Sequence, residues 1–389
     1  MARGDGVVSS ACMWSWRLAR VSGIDIKVHL SFLLVVVLGA MQWGSFGVEG
    51  AVFGAVLTLL TFASVTLHEL GHSVVAQAFG IPVKDITLYP IGGVARLGKR
   101  PKTPGQEFLI AVAGPAVNVV LVFVIGALGA WLYGFEAMLE ALANAHLEHP
   151  TMVTLLAVLV SSNAVLALFN MVPALPMDGG RVLRSVLSWM MGPETATKVS
   201  AVIARVLAIG LFLLGARFNP MLMIIAAFVW FGAGQEVREQ QFARVLDGVR
   251  VGDAVNPYSP TFTPATTLAE AIQVLTMSNW EAFAVVHFGR LAGVVTKKDL
   301  LAAASKEGAY GYVAGAMRRE VAMVDAREPL EAARFVMEER GEPFVAVVRE
   351  GVFLGLLTEV ELAVVAEHLA RQKFSSSLPL PARAGRGPG

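Results

Sequence analysis

The chain has 389 residues, 55% of them hydrophobic and only 16% charged, with a mean hydropathy of +0.62, which excludes an ordinary soluble multidomain enzyme and implies a membrane protein. A formal net charge of +1 gives no reason to expect nucleic acid or an acidic substrate as a partner. The single cysteine, Cys12, excludes an internal disulfide framework and a cysteine-based zinc site, so any metal would have to be held by histidine and carboxylate.

Residues 1–27 are polar and carry no secretory signal of the usual form, so the first apolar run, at about 29–46, is expected to stay in the chain as a membrane helix. His29, at its inner end, is expected to be interfacial. The second run, at about 51–79, contains VTLHELGH at 65–72. His68 and His72 stand at i and i+4, which puts both imidazoles on one helical face at a separation that can chelate a single ion. Glu69 points toward the same cavity, placed to take a proton from a metal-bound water. The pattern arises by chance in soluble chains. In a lipid-facing helix, however, an unpaired glutamate and two histidines carry a heavy desolvation penalty, and intramembrane ionisable groups mark pathways or sites.

Between the second and third runs, LYPIGGVARL has β-like alternation around Gly92 and Gly93, and reads either as an ordinary loop or as a strand. The third run, at about 108–133, contains AGPAVN at 113–118. Gly114 and Pro115 suit close helix packing and a helix start, and Asn118 a buried hydrogen bond. His146 and His149 lie in the following connection, on the outer side, and should not reach a metal there. The fourth run, at about 152–172, ends in FNMVPALPMDGGR. Pro173 and Pro176 break the helix, and Gly179 and Gly180 permit a sharp backbone path. Non-helical backbone at membrane depth is tolerated only where it lines a cavity or is buried in protein, which makes Asp178 the expected third metal ligand. The alternative is a solvated cap for a helix starting at Gly179. Asn170 could donate a hydrogen bond to a substrate carbonyl or its tetrahedral oxyanion, or merely tie down the broken helix. The last two runs, at about 200–216 and 219–234, are short for a span and are expected to tilt or form a tight hairpin.

Lys and Arg are retained on the cytoplasmic side of membrane helices. Twelve of them fall in 1–28, 80–107 and 173–199, against only Arg217 in the opposite connections, so both termini are expected in the cytoplasm. The second and fourth runs then both descend inward, and HELGH and Asp178 arrive at one depth.

HELGH in the second run together with NMVPALPMDGG at the end of the fourth resembles the site-2 protease family of intramembrane zinc metalloproteases, and AGPAVN resembles that family's further motif. The resemblance covers roughly residues 20–235, with Met177 standing where many members have Leu before the Asp. It implies that His68, His72 and Asp178 bind one zinc, that Glu69 activates water and that Asn170 assists the transition state. It also implies a membrane-spanning protein substrate, and an edge strand near Gly92 and Gly93 that pairs with the unwound substrate.

From about 235 charge becomes frequent and a soluble region begins. AVVHFGRLAGVVTKKDL at 284–300 aligns with AVVREGVFLGLLTEVEL at 346–362, an offset of 62 that also pairs Leu268 with Leu330 and Ala254 with Ala316. Each copy reads helix, strand, turn, strand, helix, which predicts a pseudo-twofold α/β pair. The recurring Gly293, Thr296, Asp299 and Gly355, Thr358, Glu361 resemble a tandem pair of cystathionine-β-synthase (CBS) domains over about 247–370. That resemblance implies ATP or AMP in the cleft, with Thr296 and Asp299 meeting the ribose; Glu361 in place of Asp puts the second site in doubt. Packing or homodimerisation is the alternative role. The tail is rich in Pro, Ser and Gly, and disorder is expected there.

The expected fold is thus an α-helical polytopic membrane domain of about six transmembrane helices followed by a soluble α/β tandem CBS domain. Its divisions are a cytoplasmic segment 1–27, a protease domain 28–235, a linker 236–250, CBS repeats 251–308 and 309–371, and a tail 372–389. The expected activity is zinc-dependent endopeptidase in the cell membrane, regulated through the CBS pair. A catalytically inactive scaffold that retains the protease fold is the rival.

Overall fold

The computed structural model describes residues 15–376 apart from 91, 99, 145–148, 247, 279 and 309. Cys12, His146 and the tail beyond 376 lie outside the described residues. The chain divides into two units, one ending at Arg238 and the other running from Glu239.

The first unit opens with a hairpin of β1 (Ser15–Val21) and β2 (Ile24–His29), turned through Ser22 and Gly23 at φ of 50° and 82°. Two successive positive φ values suit the twist of a two-residue hairpin, and Gly23 takes the second without strain. α1 (Phe32–Gln42) and a single 3-10 turn lead into α2 (Gly47–Ala78), which carries the HELGH stretch. β3 (Val83–Tyr89) and β4 (Gly92–Leu97) complete a four-stranded sheet in the order β1-β2-β3-β4. Because β2 and β3 pair in parallel, with Asp25 opposite Asp85, the sheet ties together the start of α1 and the end of α2. β4 is the sheet's outer strand.

α3 (Pro104–Tyr133) starts with Pro104 behind Thr103, whose hydroxyl accepts from the Gln106 amide. α4 (Phe135–Asn144), α5 (Met152–Asn170), α6 (Asp178–Met191), α7 (Pro193–Phe218) and α8 (Pro220–Leu246) follow. Among the described residues five helices are long and apolar enough to cross a membrane, and the last two runs give Pro193–Phe218 and Pro220–Gln240, spans of 26 and 21 residues. The short one is α1, with 11 residues, about 16 Å of rise. The hairpin takes the start of the first run into β-structure, and a 3-10 turn ends it. Pro115 does not start a helix; α3 begins eleven residues earlier and Pro115 lies inside it. In α2 the hydroxyls of Thr58, Thr61 and Thr66 donate to carbonyls four residues back at 2.8, 2.9 and 2.8 Å, so no donor is left bare against lipid.

In the second unit α9 (Val251–Ala254), β5 (Thr261–Phe262), α10 (Leu268–Met277), β6 (Ala282–His287), β7 (Arg290–Thr296) and α11 (Lys297–Glu307) form the first copy. α12 (Val313–Ala316), β8 (Met323–Asp325), α13 (Leu330–Arg340), β9 (Phe344–Arg349), β10 (Val352–Thr358) and α14 (Glu359–Ser376) form the second. The leading segments are exchanged. Val251 and Ala254 pack with Val324, Leu330 and Val345, whereas Val313 packs with Leu268, Phe283 and Leu300. A cut at 308 therefore divides the sequence repeat but not the packed cores.

Asp85 on β3 is fully buried beneath the first unit's sheet, with Lys27 Nζ 2.5 Å from Oδ2 and Arg96 donating to both oxygens at 2.7 Å. Burial alone would raise its pKa, but these two cations outweigh it and hold the carboxyl below its ordinary value. A depressed folded-state pKa stabilises the fold above the unfolded value of about 3.9 and loses that contribution as pH falls through the folded one. Asp85→Asn is expected to cost about 2 kcal/mol at pH 7, measured by thermal unfolding in detergent, with the gap to the unsubstituted chain narrowing as pH falls below the unfolded carboxyl value of about 3.9.

Candidate metal centre

The HELGH face of α2 meets α3 at a crossing of two small residues. A Cβ on Gly71 would lie 2.9 Å from the Ala113 carbonyl oxygen, and one on Gly114 would run into the Nε2 atoms of both His68 and His72. The absence of side chains there lets α3 lie directly on the two imidazoles. Asp178 comes from the other side. The chain after α5 folds back through Ala174 and Leu175, both buried, so tightly that a Cβ on Gly179 would strike the Met171 carbonyl. Asp178 is the first residue of α6 behind Met177 and is only 8% exposed, so it is not a solvated cap.

His68 Nε2 and His72 Nε2 are 3.1 Å apart, and each is 3.2 Å from Asp178 Oδ2. The other nitrogens are occupied. His72 Nδ1 is 2.6 Å from the Ile110 carbonyl, which can only accept, so Nδ1 carries the proton and Nε2 presents a lone pair. His68 Nδ1 is 2.5 Å from Asn118 Oδ1. Electron-rich atoms therefore converge on one point from three sides, an arrangement that repels itself unless a cation sits among them. The edges agree with the separation of about 3.3 Å between ligands of a tetrahedral zinc with bonds near 2.05 Å. The donor set fits zinc.

Glu69 follows His68 and is half-buried. A Cβ on Gly93 would be 2.7 Å from its Cγ and 3.6 Å from Oε1, so the backbone of β4 passes beside this carboxylate. Asn170 ends α5, half-buried, and makes no hydrogen bond to the three converging side chains. His29 bonds Ser31 Oγ at 2.7 Å and His149 faces Phe46, both apart from the cluster. Residue spacing does not reveal Arg184, buried at 6% exposure, whose guanidinium bonds Glu107 and Glu236 and so joins α3, α6 and α8. Its only signal is position, a basic residue six places past Asp178 near two acidic helix ends.

In the second unit Thr296 and Asp299 cap α11 together. Thr296 Oγ1 donates to Asp299 Oδ2 at 2.7 Å, and Arg318 holds the same carboxylate with Nη2 3.1 Å from Oδ1 and Nε 3.0 Å from Oδ2. Burial works against ionisation, yet Arg318 and Thr296 keep the Asp299 pKa below its ordinary value. At the matching place in the second copy, Thr358 Oγ1 bonds Glu361 Oε2 at 3.2 Å, while Oε1 is buried without a partner among the described residues. Burial there raises the Glu361 pKa. The residue 62 places before Arg318 is Asn256, which brings no charge.

A polytopic helical domain enclosing a buried His–His–carboxylate centre beside a catalytic-type glutamate defines a membrane-embedded metallohydrolase. Residues 55–214 match peptidase family M50, and residues 251–306 and 313–367 each match the CBS domain. A zinc metalloprotease of Methanocaldococcus jannaschii is 34% identical over 285 residues, covering 72% of this chain and 78% of that protein. Rip3 of Mycobacterium tuberculosis, provisionally named a zinc metalloprotease, is 31% identical over 369 residues, 89% of this chain and 91% of that one. The solved site-2 protease of Methanocaldococcus jannaschii aligns at 37% identity and a TM-score of 0.41, covering 58% of this chain and 95% of that one. The chain belongs to the M50, or site-2 protease, family of zinc metalloproteases and carries a tandem CBS pair.

Gly114→Ala is expected to lower zinc stoichiometry in the purified chain from about one to near zero, since the added methyl occupies the place of the ligand nitrogens. Asp178→Ala is expected to lose most of its zinc as well, and metal analysis checks both.

Proposed function

We propose that residues 28–235 form an intramembrane zinc endopeptidase that cuts membrane proteins within or beside a transmembrane segment, with one zinc held by His68, His72 and Asp178. The observation that carries this reading is the triangle of ligand atoms with edges of 3.1–3.2 Å and its second nitrogens already engaged. Zinc bound there would supply a Lewis acid and lower the pKa of a coordinated water to about 7. Glu69 takes the proton of the attacking water and returns it to the departing amine. Asn170 donates its amide to the oxyanion, and the absence of any bond to the ligand triangle leaves it available for that role.

A transmembrane substrate arrives helical, with its peptide bonds closed off by their own hydrogen bonds. β4 supports a way round this. It is the outer strand of its sheet, Gly93 brings its backbone against Glu69, and an extended substrate segment added to that edge would lie alongside the carboxylate. Exposed apolar side chains on the long helices, Phe123, Trp131, Leu168 and Leu213 among them, suit a lipid surround. The distribution of Lys and Arg supports a cytoplasmic location for both termini and the CBS pair.

Glu69→Gln is expected to lower cleavage of a transmembrane substrate by at least about 10³-fold while zinc content stays within about 20% of the unsubstituted chain. Unchanged cleavage would favour an inert scaffold.

The CBS pair, residues 251–371 beyond a linker at 236–250, is proposed to bind ATP or AMP, with Thr296 and Asp299 on the ribose and Arg318 released from Asp299 to the phosphate. It is also proposed as the place where two chains pair. Asp299→Ala is expected to abolish saturable AMP binding to the full chain, measured by calorimetry in detergent, and AMP is expected to change the cleavage rate.

A further inference from the structure

Behind His68 runs a chain of buried amides that the catalytic reading does not use. Asn118 on α3 is fully buried, Asn163 on α5 is 1% exposed and Ser64 on α2 is 6% exposed. Asn118 Oδ1 lies 2.5 Å from His68 Nδ1, and Asn118 Nδ2 donates to Asn163 Oδ1 at 3.0 Å. Asn163 Nδ2 donates to the Leu159 carbonyl at 2.9 Å and to Ser64 Oγ at 3.2 Å, and Ser64 in turn donates to the Leu60 carbonyl at 3.2 Å.

The direction of this chain is fixed from its far end. The Leu159 carbonyl has no proton to give, so the Asn163 atom facing it must be the NH2. The oxygen of Asn163 must then face Asn118, which accordingly presents its own NH2 to Asn163 and its oxygen to His68. An oxygen facing Nδ1 at 2.5 Å requires Nδ1 to carry a proton, which in the neutral ring leaves Nε2 bare and directed at Asp178. Flipping either amide would set two donors or two acceptors face to face in a fully buried cluster. His72 reaches the same state more simply, since its Nδ1 faces a backbone carbonyl.

We infer that Asn163, which touches neither the ligand triangle nor His68, is a positioning residue that sets the His68 tautomer through Asn118 and thereby the affinity of the metal site. This rests on the assignment of His68 as a ligand. Asn163 also lies on α5, the helix whose end leads into the turn that delivers Asp178, so one polar chain joins the three helices that bring the ligands together.

The test is the zinc dissociation constant of the full chain in detergent, by chelator competition. Asn163→Leu, similar in size but unable to bond, is expected to weaken zinc about 10- to 100-fold. In an Asn118→Asp background the group facing Nδ1 can only accept, whatever stands at 163, so there the same change, which also removes the Asn163 oxygen facing the new carboxylate, is expected not to weaken zinc by more than about twofold. A purely structural Asn163 would give the same loss in both backgrounds, which overturns the inference, as does a single Asn163→Leu variant that binds zinc normally. Should Asn163→Leu not fold, 15N spectra of the histidine-labelled, metal-free natural chain at a pH where the ring is neutral, with His68 assigned by its loss in His68→Gln, report the tautomer directly; a neutral His68 with its proton on Nε2 and none on Nδ1 sinks the idea. His68→Ala and Asp178→Ala serve as controls. If both keep zinc, the ligand assignment fails and this inference with it; if both lose zinc, a failure at Asn163 is a failure of this inference alone.

Discussion

The structure of the first unit depends on one constraint: three electron-rich side-chain atoms are held together in a buried site. Two bare imidazole nitrogens and a carboxylate oxygen within 3.1–3.2 Å of one another repel in the absence of a cation, and lipid offers no screening. Everything that holds them there must be stronger than that repulsion. The protein meets this with rigid elements. α2 and α3 touch through glycines, the turn after α5 is pinned beneath α6, and each Nδ1 has an acceptor of its own. The packing of these elements thus sets the spacing of the three converging atoms.

The same economy of polar groups recurs away from the metal. Arg184 is buried between Glu107 and Glu236, and Asp85 between Lys27 and Arg96. Each cluster ties a helix or strand near the site to a neighbour. α6, which begins with Asp178, is gripped six residues later by carboxylates from α3 and α8, so the start of α6 is tied to both by a buried ion pair. α3 is thus fixed at two levels, by Glu107 near its start and by Asn118 beside His68.

The ligands themselves are legible in the sequence because their chemistry is conspicuous in an apolar setting. Two histidines one turn apart and an Asp between Pro and Gly pairs are costly at membrane depth, and such groups persist there chiefly where they serve an ion or a proton. The duplication is equally plain, since a constant offset of 62 needs no structural knowledge. What the sequence leaves obscure is of two kinds. The β1–β2 hairpin is hidden when residues 15–29 are judged by polarity alone, although WRLARV and IDIKVH flank a Ser-Gly turn in the manner of paired strands. The role of Gly114, Asn163 and Arg184 is obscure for a deeper reason. Each acts on a partner far off in the chain, and nothing local distinguishes a glycine that admits an imidazole from one that merely packs helices, or an asparagine that orients a ligand from one that caps a kink.

The CBS pair shows how far such a relay of local identity can diverge within a single chain. Its two copies match element for element, and the exchange of α9 and α12 makes each core depend on the other's leading segment. The backbone is therefore held symmetric while side chains are free to differ. At one position, 318 against 256, Arg stands opposite Asn. Together with the change from Asp299 to Glu361, that difference leaves Asp299 held by Arg318 and Thr296 with its pKa lowered, and leaves Glu361 with a buried, unmatched oxygen and a pKa that burial raises. A ligand that reached Asp299, as proposed, would compete with Arg318 for the carboxylate, whereas one at Glu361 would meet an acid with an unused oxygen, so the two matching positions make opposite electrostatic demands.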